Sequence, residues 1–127
     1  MKYYRNPESI HPPLAAYAHQ VEVVNPQRQL IISGQIGMNL DGTMPESADE
    51  QLTLALDNII NNLEAASMNR EDIDKLTFYL VDDIEKDARI KILTEKLGNH
   101  KPCMTLIYVS KLANAKIKVE IEALASC

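Results

Sequence analysis

Residues 117–125 alternate with few breaks. Ile117, Val119, Ile121 and Ala123 are apolar, and Lys118, Glu120 and Glu122 between them are charged. Successive side chains of a strand leave on opposite faces, so this pattern describes a strand with one covered face and one polar face. Any fold that contains it must supply an apolar layer for the first face. It must also hold two carboxylates, Glu120 and Glu122, pointing the same way from stiff backbone. Carboxylates so placed are either solvated surface or positioned acid–base groups. The alternation by itself leaves both readings open.

The covering layer is legible upstream. From Ser47 to Ser67, Leu52, Ala55, Leu56, Ile59, Ile60, Leu63 and Ala66 recur at helical spacing and form one apolar stripe. Ser47 is an N-cap residue, and Glu50 three positions on predicts a capping box. A second helix is expected over about Ile84 to Leu97, with Ile90, Leu93 and Leu97 on its buried side and Gly98 as C-cap. Strands are expected at Gln20–Val24, Gln29–Ile32, Lys75–Val81 and, after Pro102, Met104–Val109. Asn25-Pro26 between the first two predicts a hairpin. The order β-β-α-β-α-β-β describes an α+β domain of two layers, a mixed sheet with two helices on one face. Leu30, Ile32, Leu106 and Tyr108 are expected on the other face. A second copy of the chain would cover them, which predicts a homo-oligomer.

Composition narrows the function classes. A length of 127 residues fits a single domain over 1–127, and 46% hydrophobic content suffices for a core. No stretch approaches the ~20 apolar residues of a membrane helix. Met1 to Pro7 is polar with no apolar run behind it, so no secretory signal is expected, and a cytoplasmic location is. The net charge of -5 argues against a nucleic-acid partner. Cys103 and Cys127 form no CxxC, so free thiols are expected, with Cys127 mobile at the chain end. His11, His19 and His100 have no ligand spacing, so no metal is expected. No histidine is placed to activate Ser33 as a nucleophile, which leaves it a turn or hydrogen-bonding role.

Four stretches carry a resemblance. They are Leu14-Ala15-Ala16-Tyr17, Ser33-Gly34-Gln35-Ile36, Pro102 before a strand, and Val119-Glu120-Ile121-Glu122-Ala123. In this order and spacing the chain resembles the RidA family (YjgF/YER057c/UK114) of reactive-intermediate imine deaminases, over nearly its whole length. The resemblance implies a chorismate-mutase-like fold and a homotrimer. The three sheets would form a barrel with helices outside and a site in each inter-subunit cleft. It implies hydrolysis of enamine or imine metabolites, such as 2-aminoacrylate, to a 2-keto acid and ammonia, with no metal or organic cofactor. RNA cleavage, also attributed to some members, conflicts with the acidic charge.

The same resemblance assigns roles. Glu120 matches the glutamate that orients the attacking water, Tyr17 a tyrosine at the cleft, and Ser33 and Gly34 the turn that lines the pocket. Cys103 stands beside the family's substrate-binding position. The departures matter as much. The arginine that clamps the substrate carboxylate falls at Met104, and a helix asparagine falls at Lys91. Tyr108 stands where an acidic or polar residue is common. Methionine cannot make the two-point grip of a guanidinium on a carboxylate. A charge-assisted hydrogen bond of that kind contributes roughly 1.5–3 kcal/mol. The expectation is therefore a deaminase that favours a neutral or less acidic ligand, or a non-catalytic trimer that binds a small metabolite. Lys91 would restore some positive charge if its amine reached the cleft.

Overall fold

The computed structural model describes residues 1–127. Six strands and two helices follow in the order β1 (Lys2–Arg5), β2 (Gln20–Val23), β3 (Gln29–Ile36), α1 (Ala48–Ala65), β4 (Ile73–Leu80), α2 (Lys86–Leu97), β5 (Cys103–Tyr108) and β6 (Val119–Ser126). A single 3₁₀ turn at Arg70–Asp72 precedes β4. The strands form a four-stranded mixed sheet, ordered β3-β6-β4-β5, and a two-stranded ribbon of β1 and β2. This is the α+β chorismate-mutase-like arrangement. No helix is long and apolar enough to cross a membrane.

The closing strand lies inside the sheet, antiparallel to β3 on one side and to β4 on the other. Val119, Ile121, Ala123 and Ala125 are buried, as the alternation requires. They meet Leu52, Ala55, Leu56, Ile59 and Leu63 of α1 in one apolar cluster, which also takes in Leu76, Phe78 and Leu80 of β4. β4 and β5 are parallel and joined through α2, because parallel neighbours need a crossover of about a dozen residues or more. Gly98 ends α2 at φ 63° and donates its N–H to Thr94.

Several details differ from the sequence expectation. The polar start of the chain forms β1, and β1 pairs antiparallel with β2, so the hairpin between β2 and β3 does not exist. Past Asn25-Pro26 the chain turns to the far terminus instead: Gln27 and Arg28 donate their N–H groups to the Cys127 carbonyl. The backbone of Cys127 is thus paired, although its side chain is exposed. Lys2 anchors β1, with its ammonium 2.8 Å from Asp74 and donating to the Asp72 carbonyl at 2.7 Å.

Leu30 and Ile32 pack on the helix side, not the open face. Leu106 and Tyr108 share the helix side of β5 with Met104, since Leu76, Phe78 and Leu80 are their register partners. They stay exposed because β5 is the edge strand. The apolar groups of the open face are Ile31, Leu124 and Ile107. Ser47 caps α1 by accepting from the Glu50 N–H at 3.1 Å, without the reciprocal bond. The complete capping box is at Asn69 and Asp72. Ile90 is 39% exposed, and α2 packs on the core through Ala88, Ile92, Leu93 and Leu97 instead.

Candidate functional site

Ser33, Gly34 and Glu120 come together at a bulge. The β3–β6 register steps from Ile32 opposite Ala123 to Gln35 opposite Ile121, so Ser33 and Gly34 together face one residue, Glu122. Two residues against one is a β-bulge, a device that re-aims a strand locally. Asn58 of α1 holds the end of β3 by donating to the carbonyls of Ile36, at 2.9 Å, and Met38, at 3.1 Å. Gly34 then lies directly under Glu120. A Cβ at position 34 would stand 2.7 Å from both Cδ and Oε2 of that carboxylate. Glycine is the residue that leaves the carboxylate room.

The two carboxylates of β6 differ in their partners. Glu122 accepts a 2.8 Å hydrogen bond from the Tyr79 hydroxyl. This bond, first among the causes, pushes the Tyr79 hydroxyl pKa above its usual value. Glu120 is half-buried. No protein donor bonds it and no cation stands within 4.0 Å of it. Glu122 is committed to structure, and Glu120 is free to hold a water or ligand proton.

A second group of residues gathers on the other side of the sheet. A cavity of about 210 Å³ lies between α2, the loop at Ala15–Ala16 and the start of β5, with Met104 in its wall. The Ala18 N–H donates to the Pro102 carbonyl at 3.2 Å, which ties that loop to the strand. Tyr17 follows Ala16, but its hydroxyl turns back to accept from the Leu14 N–H at 3.2 Å. Its ring packs edge-on against His19 at 5.6 Å. Cys103 points away from Met104, to the open face beside Lys75. Burial raises its thiol pKa, which disfavours the reactive thiolate. Lys91 is exposed and does not line the cavity. Lys86, Arg89 and Lys101 do. Arg89 was legible as part of a helical stripe with Lys86, Ile90, Leu93 and Leu97.

One chain does not join the two groups. Glu120 pairs with Tyr79, and Met104 pairs with Leu76, three residues along β4 and on the opposite face. β4 lies between β6 and β5, so the two positions are about 10 Å apart across the strands and about 10 Å along them. No three His, Cys, Asp or Glu side chains converge as a metal site.

This combination of fold, bulge and closing strand defines a class, and comparison with known proteins agrees with it. Residues 10–127 match the family model described as Endoribonuclease L-PSP. The chain belongs to that family, the YjgF/YER057c/UK114 or RidA proteins. It is similar to a RutC family protein of Aquifex aeolicus, with 35% identity, covering 87% of this chain and 90% of the relative. It is also similar to the crystal structure of YyfB, a Rid family protein of unknown function from Yersinia pestis. That match has a TM-score of 0.87 and 27% identity, covering 99% of this chain and 98% of the other. TdcF of E. coli with bound serine matches at TM-score 0.72 and 26% identity, covering 89% and 91%.

Proposed function

We propose that the chain is a cofactor-independent imine and enamine deaminase acting on a small metabolite, with Glu120 as its acid–base residue. The observation that carries this reading is the unpaired Glu120 carboxylate seated over Gly34. In the reaction, Glu120 takes a proton from water as the oxygen adds to the imine carbon. Glu120 returns that proton to the nitrogen, then moves the proton of the adduct hydroxyl to the amine, so that the C–N bond breaks and ammonia leaves as the carbonyl forms. A positioned general base of this kind contributes typically 10²–10⁴-fold. Family membership supports the reading, as does a relative of this fold that holds serine.

The separation of Glu120 from the Met104 cavity supports a site completed between copies in a homotrimer. Ile31 and Leu124, register neighbours on the open face and 74% and 40% exposed, suit such burial. Ser33 and Gly34 would line the site with Glu120. Tyr17 and Met104 would belong to the opposing wall, whereas Cys103 faces the open side of the sheet and Lys91 stands outside the cavity. In the test, the purified protein receives 2-aminoacrylate generated enzymatically. Keto-acid release above the no-protein rate, lost in Glu120→Gln, is the expected result. Release no faster than the control would sink the proposal.

Met104 at the position of the clamping arginine favours a second reading, a trimer that binds a metabolite without turnover. A ligand that raises the melting temperature, with no product, would select it. RNA cleavage fits the -5 charge poorly. RNA degradation that is equal in wild type and Glu120→Ala would assign it to a contaminant.

A further inference from the structure

The Met104 cavity carries a charge pattern that the rest of the chain does not. Its wall is apolar at Ile90, Leu93, Leu97 and Met104, and its cations are Lys86, Arg89 and Lys101. No Asp or Glu lines it, although the chain as a whole has net charge -5. The five ion pairs of the molecule engage Lys2, Arg5, Arg70, Lys96 and Lys118, so all three cavity cations lack a carboxylate within 4.0 Å. Asp83, just before α2, accepts a 2.6 Å bond from the Tyr108 hydroxyl.

Arg89 is the most constrained of the three. It is half-buried, while Lys86 and Lys101 are exposed. Its Nη1 donates weakly to the Ile84 carbonyl at 3.4 Å, and the guanidinium lies beside the Tyr108 hydroxyl, on which it acts by charge and by hydrogen bonding. Most of its guanidinium donors remain unused. A guanidinium with no carboxylate partner, beside an apolar wall, suits a ligand with an anionic head and a short apolar body.

We propose that Arg89 is the specificity-determining cation of this cavity, and that the cavity selects small carboxylates with a short acyl chain. Anion recognition has moved from the strand, where Met104 cannot provide it, to the helix facing it. As the substrate-gripping half of the site, the cavity rests on the deaminase reading. Its preference for carboxylates does not.

The test measures binding of butyrate and of its uncharged isostere butyramide, by amide chemical shifts. Wild type, Arg89→Gln and Arg89→Lys are compared. Butyrate should bind wild type about tenfold or more tightly than butyramide, with shifts at Ala16, Leu93 and Met104. Arg89→Gln should lose that preference, and Arg89→Lys should keep part of it. Equal binding of the two probes, binding of neither, or an undiminished preference in Arg89→Gln overturns the proposal. If Arg89→Gln does not fold, Arg89→Lys decides it, and an undiminished preference there overturns the assignment to Arg89. A carboxylate preference in wild type, without keto-acid release from 2-aminoacrylate, would uphold this inference while the deaminase proposal fails.

Discussion

One methyl group at position 34 reaches the chemistry directly. The Cβ of Gly34→Ala would meet the end of an unpaired, movable side chain rather than backbone, so Glu120 shifts and the fold does not. The expected result is a melting temperature within about 4 °C of wild type, the scale of 1 kcal/mol for a chain of this size. Imine hydrolysis should fall by a large part of the 10²–10⁴-fold expected for Glu120→Gln. A stable protein with undiminished turnover would mean that Glu120 is not the acid–base group. Met104→Arg works in the opposite direction. Rebuilding the guanidinium clamp should raise hydrolysis of 2-imino acids by about tenfold or more. A folded variant with no gain would show that the pocket differs at more than that position. Gly34 and Glu120 were both legible in sequence, but Arg89 was not singled out there. Its significance lies in what surrounds it, and spacing along one helix does not show whether a neighbouring carboxylate neutralises it.

At the scale of elements, the position of β6 depends on α1. Gln51 is 1% exposed and donates to the carbonyls of Pro45 and Lys116, each at 2.9 Å, while it accepts from the Lys118 N–H at 2.8 Å. These bonds fix the entry to β6, two residues before Glu120. Gly37 packs against the backbone of Gln51, where a Cβ would come within 2.5 Å of its Cα. Gln51→Leu should therefore cost about 3 kcal/mol, at ~1 kcal/mol or more for each of three buried groups left unpaired. Denaturant unfolding measures this, and a cost under about 1 kcal/mol would show that water replaces the staple. β1 offers a pH test. Burial first, and then the Asp74 charge, push the Tyr4 hydroxyl up to about 12, and it donates to the Ile73 carbonyl at 3.2 Å. A folded pKa above the unfolded value near 10 stabilises the fold fully below pH 10. That stabilisation is lost as pH rises from 10 towards 12. Thermal stability should fall through that window in wild type and fall less in Tyr4→Phe; identical profiles would contradict the assignment. The helix α1 and its cap were readable because an apolar stripe and a capping serine are local signals. The β1–β2 pairing was not, because β1 is short and polar and its anchors, Asp72 and Asp74, lie some seventy residues away.

For the whole molecule, the open face of the sheet is the deciding surface. Ile31 and Leu124 face each other across β3 and β6, and Ile107 lies on the same face of β5. If copies associate through this face, Leu124→Lys should convert a trimer to monomer in sedimentation analysis and abolish turnover with it. A trimer that persists would place the interface elsewhere. The sequence placed Leu30 and Ile32 on this face. Their burial beneath α1 reverses that, because Leu30 and Ile32 stand opposite Ala125 and Ala123 of β6, which face the core, and register partners share a face.

By itself the sequence determined the elements whose periods are long and unbroken. These are the stripe of α1, the alternation of β4 and β6, and the glycine that ends α2. Their hydrophobic period dictates which residues are buried wherever the chain folds. It also carried, through resemblance, Gly34 and Glu120 as residues of one pocket. Only the tertiary structure decided that Glu122 is tied to Tyr79 while Glu120 is unpaired, and that Met104 lies on the opposite face from Glu120. It alone placed three unpaired cations around Met104. Those properties depend on register between strands and on which side chains meet across the core, and both come from long-range packing that no local pattern encodes.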